Sequence, residues 1–325
     1  MVSHASLILL GLVCGLILVG GVLWIVRRTG VLDRPNHRSS HVDPTPTLGG
    51  IAFVLVMLAH LLTATTASEG LGWGLFWALL ALAAVSLWDD LANASSLLRL
   101  SVHIAASLGV LVALDVHAAY PAWLFGVLLI ALVWLINLYN FMDGIDGYAA
   151  VQCLVFAVGA QWLGAGVPGW LGQALWLLCG VAVAFLAFNW PPARIFMGDV
   201  GSSFLGLYIG ACILIGWQQG SLPMMGSLIL LAGFWFDASY TLCVRIATGQ
   251  RFFQAHRLHL YQQLARARGH RFTTLALLGF GALWLLPLAL LSQRYPDYAS
   301  GCLVASVAPI ALACVVWRAG LAREA

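Results

Sequence analysis

Five aspartates stand where apolar stretches of the sequence give way to short polar segments. They are Asp89, Asp90, Asp143, Asp146 and Asp199. Few basic residues lie among them, so they would repel one another at a shared surface unless a cation lay between them. Carboxylate oxygens, with the amide of Asn140 nearby, are ligands that suit Mg²⁺ or Mn²⁺. These residue types therefore predict a cation site built from polar segments.

Glycine is frequent beside these acids, as in the Asp-Gly-x-Asp-Gly of 143–147 and the Gly-Asp-x-Gly-Ser of 198–202. Glycine lets a backbone come close to a ligand, and we expect Gly49 and Gly50 to lie close to a substrate. Mg²⁺ bound by one or two carboxylates and by substrate phosphates is common in phosphoryl transfer. The arginines and histidines of the 244–272 segment are suited to donate to the same phosphates. The residues thus predict a metal-dependent site for a phosphorylated substrate.

The chain that positions these residues is strongly apolar. Of its 325 residues, 62% are hydrophobic and 8% are charged, and the mean hydropathy is +0.95. This composition excludes an ordinary soluble enzyme, a disordered protein and a nucleic-acid binder. At roughly twenty apolar residues per crossing, the chain has room for about 10–11 transmembrane helices. We predict an all-α polytopic membrane protein, with residues 1–325 as one domain and the active site on its loops.

The arginines predict which helix ends face the cytoplasm. All 15 basic residues are arginine, and they recur in alternate segments between eleven apolar runs. The positive-inside rule then puts the N-terminus outside and the C-terminus in the cytoplasm, with the five aspartates on the cytoplasmic side. The predicted cytoplasmic segments lie near 27–47, 89–98, 139–148, 189–202 and 244–272.

Four motifs follow one another along these segments. They are Pro-Thr-Pro-x-x-Gly-Gly at 44–50, Asp-Asp at 89–90, Asn-x-x-Asp-Gly-x-Asp-Gly at 140–147 and Phe-Met-Gly-Asp-x-Gly-Ser at 196–202. Over about 33–262 the sequence resembles the polyprenyl-phosphate N-acetylhexosamine-1-phosphate transferase family, of the glycosyltransferase 4 type. The Asp-Arg-Pro-Asn-x-Arg-Ser-Ser-His of 33–41 resembles the branch that initiates O-antigen synthesis more than the peptidoglycan branch.

The resemblance implies a reaction at the bacterial inner membrane. A sugar-1-phosphate passes from a UDP-N-acetylhexosamine to undecaprenyl phosphate, giving undecaprenyl-diphospho-sugar and UMP, as the initiating step of O-antigen or other cell-surface polysaccharide synthesis. Mg²⁺ is the implied cofactor, with Mn²⁺ as its substitute, no nucleic acid takes part, and a homodimer is a reasonable assembly.

The resemblance also implies roles for the acids. Asp199 is the first Mg²⁺ ligand and Asp143 the second, while Asp89 and Asp90 lie beside the acceptor phosphate. One of this pair deprotonates that phosphate, or alternatively attacks first and forms a covalent intermediate. We favour direct attack, because the lipid phosphate is already an anionic nucleophile and needs mainly placement and charge neutralisation.

The nucleotide site is implied in the same way. Phe196 matches the aromatic residue that stacks on uracil, and Asp146 matches the acid that contacts the edge of the base. Asn140 and Asn189 match polar positions around the nucleotide.

The 244–272 segment departs from the family. Where the family often has a run of histidines, only His256 and His259 are present, and we align His259 with the histidine that matters most. Arg251 and Arg257 are implied diphosphate ligands, although a topological role for each is equally compatible with the positive-inside rule. The chain has no lysine, which argues against the peptide-bearing donor of the peptidoglycan branch.

Three alternatives stay open from the sequence. Transfer of the peptidoglycan lipid I type is the first. A secondary transporter is the second, but transporter sites lie near the bilayer midplane on repeated broken helices, and no repeat is visible here. A membrane scaffold or sensor would not need the four motifs.

Asp237, inside an apolar run, is a functional candidate, yet a helix-packing role or pairing with Arg245 is slightly favoured.

Overall fold

The computed structural model describes residues 3–33, 35, 43–66, 73–92, 94–164, 169–250 and 256–321, with only the backbone for 64–66. In this part of the chain, nearly all regular structure is helical, and the predicted all-α class is confirmed. The helices are α1 His4–Thr29, α2 Ile51–Thr66, α3 Trp73–Ala92, α4 Ser96–Ala113, α5 Val116–Ala119, α6 Ala122–Met142, α7 Tyr148–Leu163, α8 Gly169–Asn189, α9 Asp199–Gln218, α10 Met224–Leu230, α11 Ala232–Ala247, α12 Leu260–Arg268, α13 His270–Phe280, α14 Leu286–Arg294 and α15 Ala299–Val316. Two short strands, β1 Leu32–Asp33 and β2 Thr45–Pro46, pair antiparallel.

Eight helical segments of the described chain are long and apolar enough to cross a membrane. They are α1, α3, α4, α6, α8, α9, the continuous 270–294 segment and the 296–316 segment. A ninth span would combine α10 and α11, which meet at a bend of 73°. The polytopic class is thus confirmed, but the expected 10–11 spans exceed this number. The difference comes from α2 and α7, which are apolar but shorter than a membrane crossing requires.

The bundle is arranged around α9. Every residue of this helix from Val200 to Gly216 is buried, and the helix packs on α2, α3 and α6. A helix that is apolar on all sides is typical of such a central position. The surrounding helices therefore fix the N-terminus of α9, Asp199, near the C-terminal ends of α3 and α6.

The predicted polar segments are shorter than the sequence indicated. Asp89 and Asp90 lie in the last turn of α3, and Asp199 is the first residue of α9. The 244–272 segment contains α12 and the ends of α11 and α13. The acids therefore stand on helix termini, whose positions are fixed more firmly than those of loops.

Candidate active site

Asp90 caps the N-terminus of α9 from a different helix. Its Oδ1 accepts the backbone N–H of Asp199 at 2.8 Å, and its Oδ2 accepts that of Val200 at 2.9 Å. The first N–H groups of a helix have no partner within the helix and carry its positive dipole end, so a carboxylate there is stabilising. Both oxygens of Asp90 are engaged, which gives this predicted catalytic residue a structural role.

Asp199 makes contacts with two other helices. Its Oδ1 accepts a hydrogen bond from Asn140 Nδ2 at 2.7 Å, and Asn140 also lies 3.3 Å from Ser202 Oγ. Arg99, on α4, lies 3.5 Å from Asp199 Oδ2 and 3.3 Å from Asp89 Oδ2. The side chain of Asp199 is still 32% exposed. Thus the structure brings together Asp199, Asn140 and Asp89, with Arg99 between the two carboxylates.

Asp89 differs from its neighbour Asp90. It is 6% exposed, and its Oδ1 accepts the backbone N–H of Ala94 at 2.7 Å. Its Oδ2 makes no hydrogen bond to the described residues, although it forms the ion pair with Arg99. A buried carboxylate oxygen without a hydrogen bond is unusual in a native site and suits contact with a substrate. Asp89 therefore differs from Asp90 in having an oxygen that faces Arg99 instead of backbone N–H groups.

Asp143 follows α6 directly and is half-buried. Burial, and then the charges of Asp199, Asp90 and Asp146, raise the pKa of Asp143 well above its ordinary value. Crowded oxygen donors of this kind fit a hard divalent cation. Among the described residues, no three His, Cys, Asp or Glu side chains converge to hold a metal alone. The arrangement fits Mg²⁺ bound by two carboxylates, with substrate phosphates completing the ligand set. We call Asp89, Asp90, Asp143 and Asp199, with Asn140 and Arg99, the carboxylate site.

Asn189 joins two polar segments. Its Oδ1 accepts the backbone N–H of Gly147, and its Nδ2 donates to the carbonyl of Ile195, both at 2.8 Å. The residue is 4% exposed. The amide thus fixes the 190–198 segment against the 143–147 segment, and its predicted contact with the nucleotide stays a prediction.

Asp146 lies at the same junction. Its Oδ2 accepts the backbone N–H of Ala193 at 3.1 Å and lies 3.3 Å from His270 Nδ1. Its carbonyl accepts a hydrogen bond from Thr274 Oγ1 at 2.8 Å. The structure therefore places this predicted base-contacting acid, three residues after Asp143, between the 190–198 segment and α13.

Gly49 and Gly50 pack against the start of α9. Three backbone hydrogen bonds join the segments: Phe196 N–H to the Pro46 carbonyl (2.8 Å), Gly49 N–H to the Phe196 carbonyl (2.9 Å) and Gly50 N–H to the Met197 carbonyl (2.8 Å). A Cβ atom on Gly50 would lie 2.3 Å from Gly201 Cα. Close packing therefore requires this glycine, and neither glycine N–H is left for a phosphate. Phe196 is half-buried beside Asp199 in sequence.

The histidines precede α12. His259 is 4% exposed, and the ring of His256 lies 4.8 Å from it. Burial, and then the charges of His259 and Arg245, lower the pKa of His256 to about 3. Tyr261 Oη donates to the Phe141 carbonyl at 2.7 Å, which brings this segment to the end of α6. We call residues 256–263 the histidine segment.

The two predicted arginine ligands have different outcomes. Arg257 is half-buried in the histidine segment, and its carbonyl accepts a hydrogen bond from Arg266. Arg251 lies outside the described residues.

Sequence reasoning missed two residues of this region. It treated Arg99 only as a marker of topology, although Arg99 directly follows the predicted 89–98 segment. It did not select His270, which contacts Asp146. The signal for Arg99 was its position beside the Asp-Asp pair, whereas nothing in the spacing indicated His270.

The chain is similar to known membrane enzymes. Residues 72–217 match the model of glycosyl transferase family 4. The phospho-N-acetylmuramoyl-pentapeptide-transferase of Chlamydia muridarum is 31% identical over 68% of this chain and 78% of its own length. A probable undecaprenyl-phosphate N-acetylglucosaminyl 1-phosphate transferase of Bacillus subtilis is 24% identical over 79% and 76%. The decaprenyl-phosphate N-acetylglucosaminephosphotransferase of Mycolicibacterium smegmatis is 31% identical over 63% and 59%.

Proposed function

This chain belongs to glycosyl transferase family 4, and from that premise we propose that it transfers an N-acetylhexosamine-1-phosphate from a UDP-sugar to undecaprenyl phosphate. The products are undecaprenyl-diphospho-sugar and UMP, and the reaction initiates O-antigen or another cell-surface polysaccharide. The observation that carries the proposal is the convergence of Asp89, Asn140 and Asp199 around Arg99 at the ends of four helices.

The proposed chemistry is a direct displacement. An oxygen of the lipid phosphate attacks the sugar-bearing phosphorus of the donor, and the bond to the UMP oxygen breaks with its electron pair leaving on UMP. We assign the removal of a proton from the acceptor phosphate to Asp89 Oδ2, which makes no hydrogen bond to the described residues and faces Arg99. Asp90 instead orients the N-terminus of α9. A covalent intermediate on Asp90 would use an oxygen that already accepts a backbone N–H.

Charge neutralisation is the other requirement. Arg99 offers a fixed guanidinium between Asp89 and Asp199. Asp199 and Asp143 would hold Mg²⁺, which when bound offsets the negative charge that builds on the diphosphate. Asn140 fixes the orientation of Asp199, and His259 and Arg257 are proposed donors to the same phosphates.

The orientation follows from the arginines. We place the carboxylate site on the cytoplasmic side of the inner membrane, with the N-terminus outside, because a UDP-sugar is a cytoplasmic donor and arginines collect on that side. Phe196 and Asp146 are the proposed uracil contacts, and a homodimer is the proposed assembly.

Peptidoglycan lipid I-type transfer is the second candidate. It is favoured by the similarity to the Chlamydia muridarum phospho-N-acetylmuramoyl-pentapeptide-transferase, and the absence of lysine argues against it.

The test is UMP release by the purified protein with undecaprenyl phosphate, Mg²⁺ and a panel of UDP-N-acetylhexosamines that includes UDP-MurNAc-pentapeptide. We expect release that requires lipid and metal and that Asp199→Asn abolishes. The matched control is Asp297→Asn, which removes an exposed carboxylate between α14 and α15 and should leave activity unchanged. UMP release with UDP-MurNAc-pentapeptide alone would favour the second candidate, and equal activity in Asp199→Asn would refute the assigned site.

A further inference from the structure

A buried acid outside the carboxylate site caps a second helix. Asp237, on α11, is only 2% exposed. Its Oδ1 accepts the backbone N–H of Leu260 at 2.9 Å, and its Oδ2 accepts that of Tyr261 at 3.0 Å. Thr241 Oγ1 also donates to Oδ1, at 3.1 Å. The N-cap residue of α12, His259, makes no capping bond with its own side chain, so Asp237 replaces it.

The same carboxylate faces His259. Nδ1 of this histidine lies 3.7 Å from Asp237 Oδ1 and has no hydrogen bond to the described residues. A carboxylate beside one ring nitrogen favours a proton on that nitrogen, and it orients the imidazole so that the other nitrogen points elsewhere. Asp237 therefore contacts both the backbone that follows His259 and its ring.

These contacts extend to the carboxylate site. The ring of Tyr261 stacks on Tyr148 with centroids 4.9 Å apart, and its hydroxyl donates to the Phe141 carbonyl, two residues before Asp143. The start of α12 is thus fixed between α11 on one side and the end of α6 on the other. Arg245, which the sequence suggested as the partner of Asp237, donates to Gln250 at 3.4 Å.

We propose that Asp237 is a positioning residue of the transferase: it fixes the start of α12 and orients His259 toward the diphosphate of the substrates. This inference rests on the proposed function, because it takes His259 as a phosphate donor. Asp237 itself does not touch the reacting atoms, since its oxygens are occupied by α12 and Thr241. The role also explains why an acid lies inside an apolar stretch, where an unpaired carboxylate would be costly.

The experiment combines amide hydrogen exchange of the histidine segment with UMP release. Asp237→Asn should raise exchange at Leu260 and Tyr261 about 10- to 100-fold, because hydrogen bonds to a charged group are lost. It should lower kcat by a similar factor, about 10- to 100-fold, with little change in KM, because His259 acts mainly on the transition state. In a His259→Gln background the same substitution should cost less than about 3-fold, since coupled residues are not additive. Cys243→Ser, on the same helix with an exposed side chain, is the matched control and should change each quantity less than about 3-fold.

Either of two results would overturn the inference. One is unchanged exchange at Leu260 and Tyr261 in Asp237→Asn. The other is a loss of kcat on Asp237→Asn that is the same in the wild type as in His259→Gln. If Asp237→Asn does not fold, Leu260→Pro removes one donor and keeps the carboxylate, since proline is accepted at the first helical position. Leu260→Pro should raise exchange at Tyr261, and it should lower kcat less in the His259→Gln background than in the wild type. If neither effect is seen, the inference is overturned. If the wild-type protein releases no UMP while Asp237→Asn still increases exchange, the proposed function fails and the positioning of α12 stands.

Discussion

Two helices of this protein begin at the candidate site, and each is capped by an aspartate from another helix. Asp90 caps α9, which has 20 residues and is buried along most of its length. Asp237 caps α12, which has nine residues and contains two glutamines and two arginines. The bonds are alike, but the helices they act on are not.

The difference between α9 and α12 indicates what holds the N-terminus of each helix in position. Packing on three helices fixes α9, so Asp90 mainly adds charge and orientation at its first turn. α12 is less than half as long as α9, and short helices are marginal without tertiary contacts. Its position depends on Asp237 and Tyr261. We infer that the α9 end carries the chemistry and that the α12 end supplies a positioned histidine.

The largest expected effect tests where the chemistry lies. Asp89→Asn should lower kcat about 1,000-fold, because it removes the carboxylate that is placed to accept a proton. The amide oxygen can still accept the Ala94 N–H, and the lost ion pair is to the exposed Arg99, so stability should fall by no more than about 1 kcal/mol. UMP release and a thermal melt measure the two effects. A large loss of stability with little loss of turnover would place the chemistry elsewhere.

A smaller effect tests whether α9 needs its cap. Asp90→Asn should lower stability by about 1 kcal/mol, the usual value of an N-cap. It should lower kcat about 100-fold, because Asp199 begins the uncapped turn and small misplacements are costly. Exchange should rise only at Asp199 and Val200, and not along α9. If the whole of α9 exchanges, then packing does not hold this helix and the comparison with α12 fails.

Much of this fold could be predicted from the sequence. The apolar runs coincide with helices, and residue types alone selected Asp89, Asn140 and Asp199, which the structure brings together. Hydropathy predicts more runs than the described chain has full-length apolar helices, because it does not distinguish a long helix from a shorter one such as α2.

The roles within the site could not be predicted in the same way. Asp90 was selected as catalytic and Asn189 for the nucleotide. The polar atoms of both bond to backbone, and a motif does not specify where a side chain points. His270 was missed because its partner Asp146 lies 124 residues away. Arg99 was interpreted as a topological charge, and its contact with Asp199, 100 residues away, follows only from the folded chain. Asp237 was noticed as an intramembrane acid, but its partners in α12 follow only from the folded chain.

A moderate effect tests the contact between α12 and the end of α6. A Cβ atom on Gly144 would lie 2.2 Å from Tyr261 Oη, so Gly144→Ala should displace that hydroxyl from the Phe141 carbonyl. We expect kcat to fall about 10-fold, the value of about one hydrogen bond, with increased exchange in the histidine segment. Gly126→Ala on α6 is the matched control, because a Cβ atom there meets nothing within 4 Å. Equal activity in the two variants would separate α12 from the carboxylate site.

The smallest effect concerns the second histidine of the α12 end. Because the pKa of His256 is lowered to about 3, its ring is neutral at physiological pH and adds no charge for phosphate binding. His256→Gln should therefore change UMP release less than about 3-fold at pH 6–8. The unfolded chain binds the proton more readily, near pH 6.5, so the wild type should lose stability as the pH falls from 6.5 toward 3, and His256→Gln should lose less. Melts at pH 5 and pH 7.5 measure this difference. A steep loss of turnover in His256→Gln would mean that the α12 end contributes a second catalytic histidine.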